Sequence, residues 1–121
     1  MTDANFKNEF KKRLYSFVLR LIKYINSLPR SQSNDVIGKQ LLRSGTSILA
    51  NFIEANSASS KKDFTNFFNH SLKSANESKV WLTLFRDTNP INNENVFLIK
   101  ELCEIANILA SSILTLKGKK K

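Results

Sequence analysis

Hydrophobic residues recur every three or four positions through four long stretches of the chain, the spacing that places side chains on one face of an α-helix. Strand-like alternation is absent from the sequence, and three glycines and two prolines leave few places for turns. The first stretch shows the spacing most clearly, with apolar residues at Phe6, Phe10, Leu14, Phe17, Leu21, Ile25 and Leu28. The pattern therefore predicts an all-α protein built from four helices.

Helix breakers and capping residues indicate where the first two helices begin and end. The first is predicted over 5–28, because Pro29 cannot continue a helix. The second is predicted to start near Ser33 or Asn34, whose side chains can accept hydrogen bonds from free first-turn amides, and to end near Asn56.

The last two helices are predicted in the same way. The third runs over 60–87 and opens with a serine three residues before an aspartate, a capping-box-like pattern. Asn92 or Asn93 caps the fourth, which Gly118 ends. Short turns between four helices of similar length predict an antiparallel, up-down-up-down four-helix bundle. We expect one domain over 1–116 and a basic, disordered tail over 117–121.

Two glycines, Gly38 and Gly45, lie inside the second helix. Each costs roughly 1 kcal/mol of helix stability against alanine. Close approach of a neighbouring helix would compensate for this cost, so we expect another helix to pack there.

A stripe of polar residues also interrupts the second helix at helical spacing. Its members are Gln40, Arg43, Ser47, Asn51 and Glu54. The stripe has two apolar flanks, one of Leu41, Ile48, Phe52 and Ala55 and the other of Leu42, Leu49 and Ile53. A helix with two apolar flanks predicts partners on more than one side, and therefore an oligomer.

Two interpretations of the stripe remain open. In the first, its residues and Glu77 form a hydrogen-bond network that fixes the register of helices and subunits. In the second, Arg43 and Asn51 face a ligand or a phosphate. We favour the first, because an unpaired buried arginine is costly.

Positive charge is concentrated in two parts of the chain. The formal net charge is +9, of which residues 1–30 contribute +5 and residues 117–121 contribute +4, whereas residues 89–116 contribute −2. Such a field attracts polyanions, so we predict binding of RNA or DNA with little sequence preference. The predicted contacts are Lys7, Lys11, Lys12, Arg13, Arg20 and Lys23 of the first helix and Lys119, Lys120 and Lys121 of the tail. Alternatively, these charges only solvate a helix, or they pair with the acidic fourth helix of another subunit.

Groups for catalysis or metal binding are sparse. His70 is the only histidine, and we expect it at the surface. Glu101 and Glu104 have the i, i+3 spacing of some magnesium-binding bundles, but Glu54 and Glu77 would have to join them. We interpret the pair as a solvated helix face, and we predict no enzymatic activity, no cofactor and no metal.

The single cysteine and the hydropathy of the chain indicate where in the cell the protein is expected. Cys103 stands among apolar residues of the fourth helix, which predicts a buried, inert thiol. No apolar run approaches the ~20 residues of a membrane span, and the polar N-terminus does not resemble a secretory signal. We therefore expect a cytoplasmic protein that does not contact membranes.

Three sequence stretches carry a family resemblance: QLLRSGTSILANFIEA at 40–55, SASSKKDF at 57–64 and SLKSANESKVWL at 71–82. They resemble the small four-helix bundle family of the 23S rRNA intervening-sequence proteins. That family is related to the accessory variability determinant of diversity-generating retroelements.

The resemblance implies a ring-like homopentamer whose basic surface engages nucleic acid or a reverse transcriptase. It also implies structural or interfacial roles for Arg43, Asn51, Glu54 and Glu77. A protein-interaction scaffold without nucleic-acid binding is the alternative function.

Overall fold

The computed structural model describes residues 4–118 and forms four α-helices, with no strand in this range. Helix α1 spans Ala4–Ser27, α2 Gln32–Asn56, α3 Lys61–Thr88 and α4 Asn93–Leu116. Each helix packs on the next, and α4 returns to pack on α1, as in an antiparallel four-helix bundle. The prediction of an all-α chain with four helices is confirmed.

Three helix starts show how well local sequence predicts the caps. Ser60 caps α3 and Asn92 caps α4, because each side chain accepts a hydrogen bond from the amide three residues later, at 3.1 and 3.0 Å. The prediction for α2 was wrong, since Ser31 rather than Ser33 or Asn34 caps it. The Asn34 side chain instead pairs with an asparagine of the α3–α4 connection.

Phenylalanine rings fill the core at the end of the bundle where α2 leads into α3. Phe52 of α2 lies between Phe10 of α1 and Phe68 of α3, with ring centroids 5.1 and 5.6 Å apart. All three rings are buried. These contacts join α1, α2 and α3 at this end of the bundle.

Helices α1 and α2 approach closely at both glycines of α2, as predicted. A Cβ atom on Gly45 would overlap the Leu21 side chain, and one on Gly38 would lie 3.3 Å from Ile25. At the far end of the bundle, Gly118 follows α4 with a φ of +70°, a conformation that glycine adopts without a steric penalty.

The two apolar flanks of α2 have different surroundings. Leu41 and Phe52 of the first flank are fully buried in the core of the chain itself. In the second flank Leu49 packs partly against the core, while Leu42 and Ile53 are exposed. Packing within one chain therefore buries the first flank but leaves most of the second flank exposed.

Cys103 is exposed, so the prediction of a buried thiol was wrong. Its neighbours Leu102 and Ile105 are buried in the core. One residue turns a helix by about 100°, so Cys103 points away from the core that Leu102 enters. Within residues 4–118, no helix combines the length and the hydropathy that a membrane span needs.

Candidate nucleic-acid interface

The polar stripe of α2 faces α3, and we call this contact the α2/α3 seam. At its outer edge Arg43 pairs with Glu77 and donates a second hydrogen bond to Gln40, at 3.1 Å. The indole of Trp81 also donates to the Glu77 carboxylate, at 3.0 Å. The arginine and the carboxylate therefore satisfy each other within one chain, at a site that is partly open to solvent.

The next part of the stripe is a smaller hydrogen-bonded group. Ser74 of α3 donates to the Ser47 hydroxyl at 2.9 Å, and Asn51 donates to the same hydroxyl at 2.8 Å. Glu54, the last member of the stripe, is exposed, and its carboxylate makes no hydrogen bond among residues 4–118. The stripe therefore makes hydrogen bonds along most of its length, including those that join Arg43 and Ser47 to α3.

Beneath the stripe lies a second polar line that the sequence analysis did not identify. Ser44 and Ser78 share a hydrogen bond of 2.7 Å, and Ser71 donates to the main-chain oxygen of Ile48 at 2.8 Å. All three serines are completely buried. A side chain as short as serine reaches the neighbouring backbone only when two helices are close, so small residues bring α2 and α3 together. The sequence does contain serines at helical spacing in both helices, and this spacing could have predicted the close contact.

Arginines of α1 and glutamates of α4 form what we call the α1/α4 seam. Arg13 donates to Glu101 at 2.7 and 2.8 Å and to Glu104 at 2.7 Å. The Arg13 hydrogen bond holds the pKa of Glu101 below its ordinary value, although partial burial acts in the opposite direction. The same pairing raises the pKa of Arg13.

A second pair lies two turns further along the α1/α4 seam. Arg20 donates to Glu94 at 2.8 and 2.7 Å, and its guanidinium lies 3.7 Å from the centre of the Phe97 ring. This hydrogen bonding lowers the pKa of Glu94. Glu101 and Glu104 were predicted on a solvated helix face, but both bind Arg13, and Glu101 is only 17% exposed. Pairing of the basic helix with the acidic fourth helix was one alternative and was considered only between subunits, whereas the structure forms such pairs within one chain, because bundle closure brings α4 beside α1.

The carboxylates that were considered as magnesium ligands lie in different seams. Glu101 and Glu104 face Arg13 in the α1/α4 seam, whereas Glu77 faces Arg43 in the α2/α3 seam. Within residues 4–118, three or more His, Cys, Asp or Glu side chains nowhere come together as a metal site. His70 is exposed beside an open groove of about 710 Å³ on the outside of α2 and α3.

Lysines from three helices meet at the end of the bundle that contains the α2–α3 turn. Antiparallel packing brings the start of α1, the start of α3 and the end of α4 to this end. The Lys7 ammonium lies 5.5 Å from the centre of the Phe64 ring, and a cavity of about 440 Å³ there is lined by Lys7, Lys61 and Leu116. We define the basic end as Lys7, Lys11, Lys12, Lys61, Lys62 and Lys117.

The lysines of the basic end are not the same as the nucleic-acid contacts predicted from the sequence. Lys61 and Lys62 were missed, although the predicted topology already placed the start of α3 beside the start of α1. Lys23 is exposed on α1 but stands near the opposite end of the bundle. The predicted contacts Lys119, Lys120 and Lys121 lie outside the residues that the structure describes.

Comparisons with known proteins agree with the helical fold. A family model described as 23S rRNA-intervening sequence protein matches residues 7–111. The chain is also similar to a solved structure, that of a protein of unknown function from the S23 ribosomal protein family of Bacteroides thetaiotaomicron. The two are 38% identical, the match covers 86% of this chain and 97% of the other, and the TM-score is 0.79. No curated protein matches the chain.

Proposed function

The chain belongs to the family of 23S rRNA-intervening sequence proteins, and from this premise we propose that it is a non-enzymatic, homo-oligomeric protein that binds RNA or DNA. The observation that carries the proposal is the basic end. Neither the family description nor the relative of unknown function assigns an activity, so the argument rests on the charges of this chain.

Cations of this chain fall into two groups according to their partners. Arg13 and Arg20 are held by carboxylates of α4, and we therefore remove them from the predicted contact set. Lysines of the basic end have no comparable partner among residues 4–118. The one ion pair there joins Lys12 to Glu9 at 3.7 Å, with both side chains mostly exposed, and such pairs contribute little. These lysines are available to neutralise phosphates.

The chemistry of these cations predicts low sequence preference. Lysine ammonium groups act as flexible point charges, whereas base recognition commonly uses the planar fork of arginine. Contacts to phosphates position a nucleic acid without reading its sequence. Because each contact releases counterions, the logarithm of the affinity should fall linearly with the logarithm of the salt concentration.

The test compares two triple variants of equal net charge. One replaces Lys7, Lys61 and Lys62 of the basic end with glutamine, and its matched control replaces the exposed Lys39, Lys73 and Lys100 elsewhere on the bundle. Fluorescence anisotropy with labelled RNA and DNA, over a range of salt concentrations, gives the affinity and its salt slope.

We expect the basic-end variant to bind at least tenfold more weakly at low salt, with a salt slope reduced by about two to three. The control should stay close to the wild type. Equal losses in both variants would mean that net charge alone attracts the nucleic acid. Salt-independent binding by the wild type would contradict the proposal.

Self-assembly is the second part of the proposal. Val80, Leu84 and Val96 expose apolar side chains on the outside of α3 and α4, and such side chains suit a contact between subunits. The family resemblance suggests a ring of five subunits. Light scattering should give a mass of several chains, which Val80→Lys should lower. Val36→Lys, at a comparably exposed position of α2, serves as the control, and a monomeric wild type would contradict this part.

A protein-interaction scaffold is the rival function, and the same exposed apolar side chains favour it. Affinity capture with and without nuclease separates the two functions. Partners that survive nuclease treatment would support a scaffold, whereas partners lost with the nucleic acid would support our proposal. Capture of a reverse transcriptase would extend the proposal to the accessory role that the family resemblance implies.

A further inference from the structure

An apolar groove of about 560 Å³ runs along the outside of α1 and α2, next to the basic end. Its lining consists of Lys11, Lys12, Tyr15, Ser16, Leu49 and Ile53. Tyr15 is 56% exposed, and its hydroxyl has no hydrogen bond within residues 4–118. An exposed aromatic ring therefore lies one helical turn from two lysines, in a groove that Leu49 and Ile53 also line.

The spacing along α1 relates this groove to the basic end. Lys7, Lys11 and Tyr15 are separated by four residues each, so they rise in steps of about 6 Å along one side of the helix. Such steps are comparable to the distance between successive phosphates of an extended single strand. A strand that follows these lysines would bring a base over the Tyr15 ring.

We propose that this groove binds single-stranded nucleic acid, with one unpaired base stacked on Tyr15 and the neighbouring phosphates on Lys7, Lys11 and Lys12. The inference rests on the proposed function and deepens it, because it selects single strands over duplexes. Stacking requires a base whose face is free, and a duplex offers such faces only at its ends. An aromatic platform inside a basic groove is the arrangement that sequence-tolerant single-strand binding uses.

Charge argues against a second copy of this chain as the occupant. The rim of the groove is basic, so a protein partner would need free carboxylates. Helix α4 is the acidic helix of the chain, yet Glu94, Glu101 and Glu104 are already bound to the arginines of α1, which leaves a second copy to offer single exposed carboxylates such as Glu54. Nucleic acid supplies the missing negative charge together with the aromatic face.

The experiment measures the binding of an oligouridine and of an RNA duplex of equal length by anisotropy. Tyr15→Ala should weaken oligouridine binding by about tenfold and leave duplex binding unchanged. Tyr15→Phe keeps the ring and should bind like the wild type. An oligouridine with abasic positions should lose affinity for the wild type but not for Tyr15→Ala. Oligothymidine, measured in parallel, distinguishes RNA from DNA.

Three outcomes would overturn the inference. Equal oligouridine affinity for Tyr15→Ala and the wild type would exclude stacking, and if the basic-end variant still lost binding, the proposed function would survive. Equal losses on oligouridine and duplex would assign Tyr15 no role specific to single strands. A lower mass of Tyr15→Ala in light scattering would instead place Tyr15 in a contact between subunits. Thermal unfolding of each variant verifies that the bundle stays intact.

Discussion

The α2/α3 seam and the α1/α4 seam join neighbouring helices with different chemistry. In the first, short side chains such as Ser44 and Ser78 are fully buried, and their hydroxyl groups bond across a close helix contact. In the second, the long side chains of Arg13 and Glu101 bridge the helices while remaining 33% and 17% exposed.

This difference shows which interactions stabilise each seam. Buried hydroxyls have lost their water, so the α2/α3 seam, apart from the exposed Arg43–Glu77 pair at its outer edge, depends on packing and on keeping polar groups paired. Partly exposed ion pairs respond to salt and to protonation, so the α1/α4 seam depends on solution conditions. The two seams can therefore be weakened independently.

Overpacking the α2/α3 seam should have the largest effect on stability. In Ser78→Leu a bulky side chain would separate the helices and remove the 2.7 Å hydrogen bond of the buried Ser44 hydroxyl, which keeps a bond of 3.4 Å to the Leu41 carbonyl. We expect a loss of about 3 kcal/mol or more in the free energy of unfolding, measured by urea denaturation. Ser16→Leu, at an exposed position of α1, should cost little. A similar loss in both variants would contradict the assigned role of the seam.

Breaking the α1/α4 seam should cost less. Glu101→Gln removes a charged partner of Arg13, which keeps Glu104, and we expect a loss of about 1–2 kcal/mol at low salt. The loss should shrink as salt is added, because the pair is partly exposed. Glu9→Gln is the control, since Glu9 makes only a long, exposed ion pair with Lys12. A salt-independent loss would argue for packing rather than charge.

Acidification should distinguish the seams further. The pKa of Glu101 is lowered in the folded chain from an ordinary value of 4.5 by its hydrogen bond to Arg13. The unfolded state therefore binds more protons in this range, so the contribution of the ion pair is complete above pH 4.5 and is lost as the pH falls through the lower, folded pKa.

The stability difference between the wild type and Glu101→Gln should accordingly narrow as the pH is lowered from 6 toward 3. Serine hydroxyls do not titrate in this range, so the cost of Ser78→Ala should stay constant. Urea denaturation at each pH measures both differences. If the stability difference between the wild type and Glu101→Gln stayed constant from pH 6 to pH 3, the hydrogen bond between Glu101 and Arg13 would not be its cause.

The smallest expected effect concerns binding. Arg20→Gln removes a cation that already has a carboxylate partner, so RNA affinity should change by no more than about twofold. Lys11→Gln removes an unpaired cation, and its affinity should fall several-fold at low salt, as one lost phosphate contact implies. Anisotropy measures both. A larger loss for Arg20→Gln would return the arginines of α1 to the nucleic-acid contact set.

Helices and several caps of this bundle were predictable because they depend on near neighbours. Ser60 and Asn92 cap helices through amides three residues away, and Gly45 indicated a close helix contact through its own missing side chain. The polar stripe of α2 was visible for the same reason, since its period is that of the helix, and its role in fixing the helix register stays a prediction.

Contacts between distant residues were harder to predict. Arg13 was predicted to contact nucleic acid and Glu101 to face solvent, yet the two residues bind each other. The paired serines and the lysines at the start of α3 were missed because their importance depends on a neighbouring helix. Cys103 was predicted to be buried because its neighbours in sequence are apolar. One residue turns a helix by about 100°, so Cys103 is exposed although Leu102 is buried.

The sequence by itself determined the four helices, their approximate limits, the excess of positive charge and the polar stripe, because each depends on composition or on residues within one or two turns. Only the tertiary structure decided which charges are free. Arg13 and Glu101 are 88 positions apart in the chain, and bundle closure brings them within hydrogen-bonding distance. The same closure gathers Lys7, Lys61 and Lys117 at one end, where their charges can act together on a polyanion.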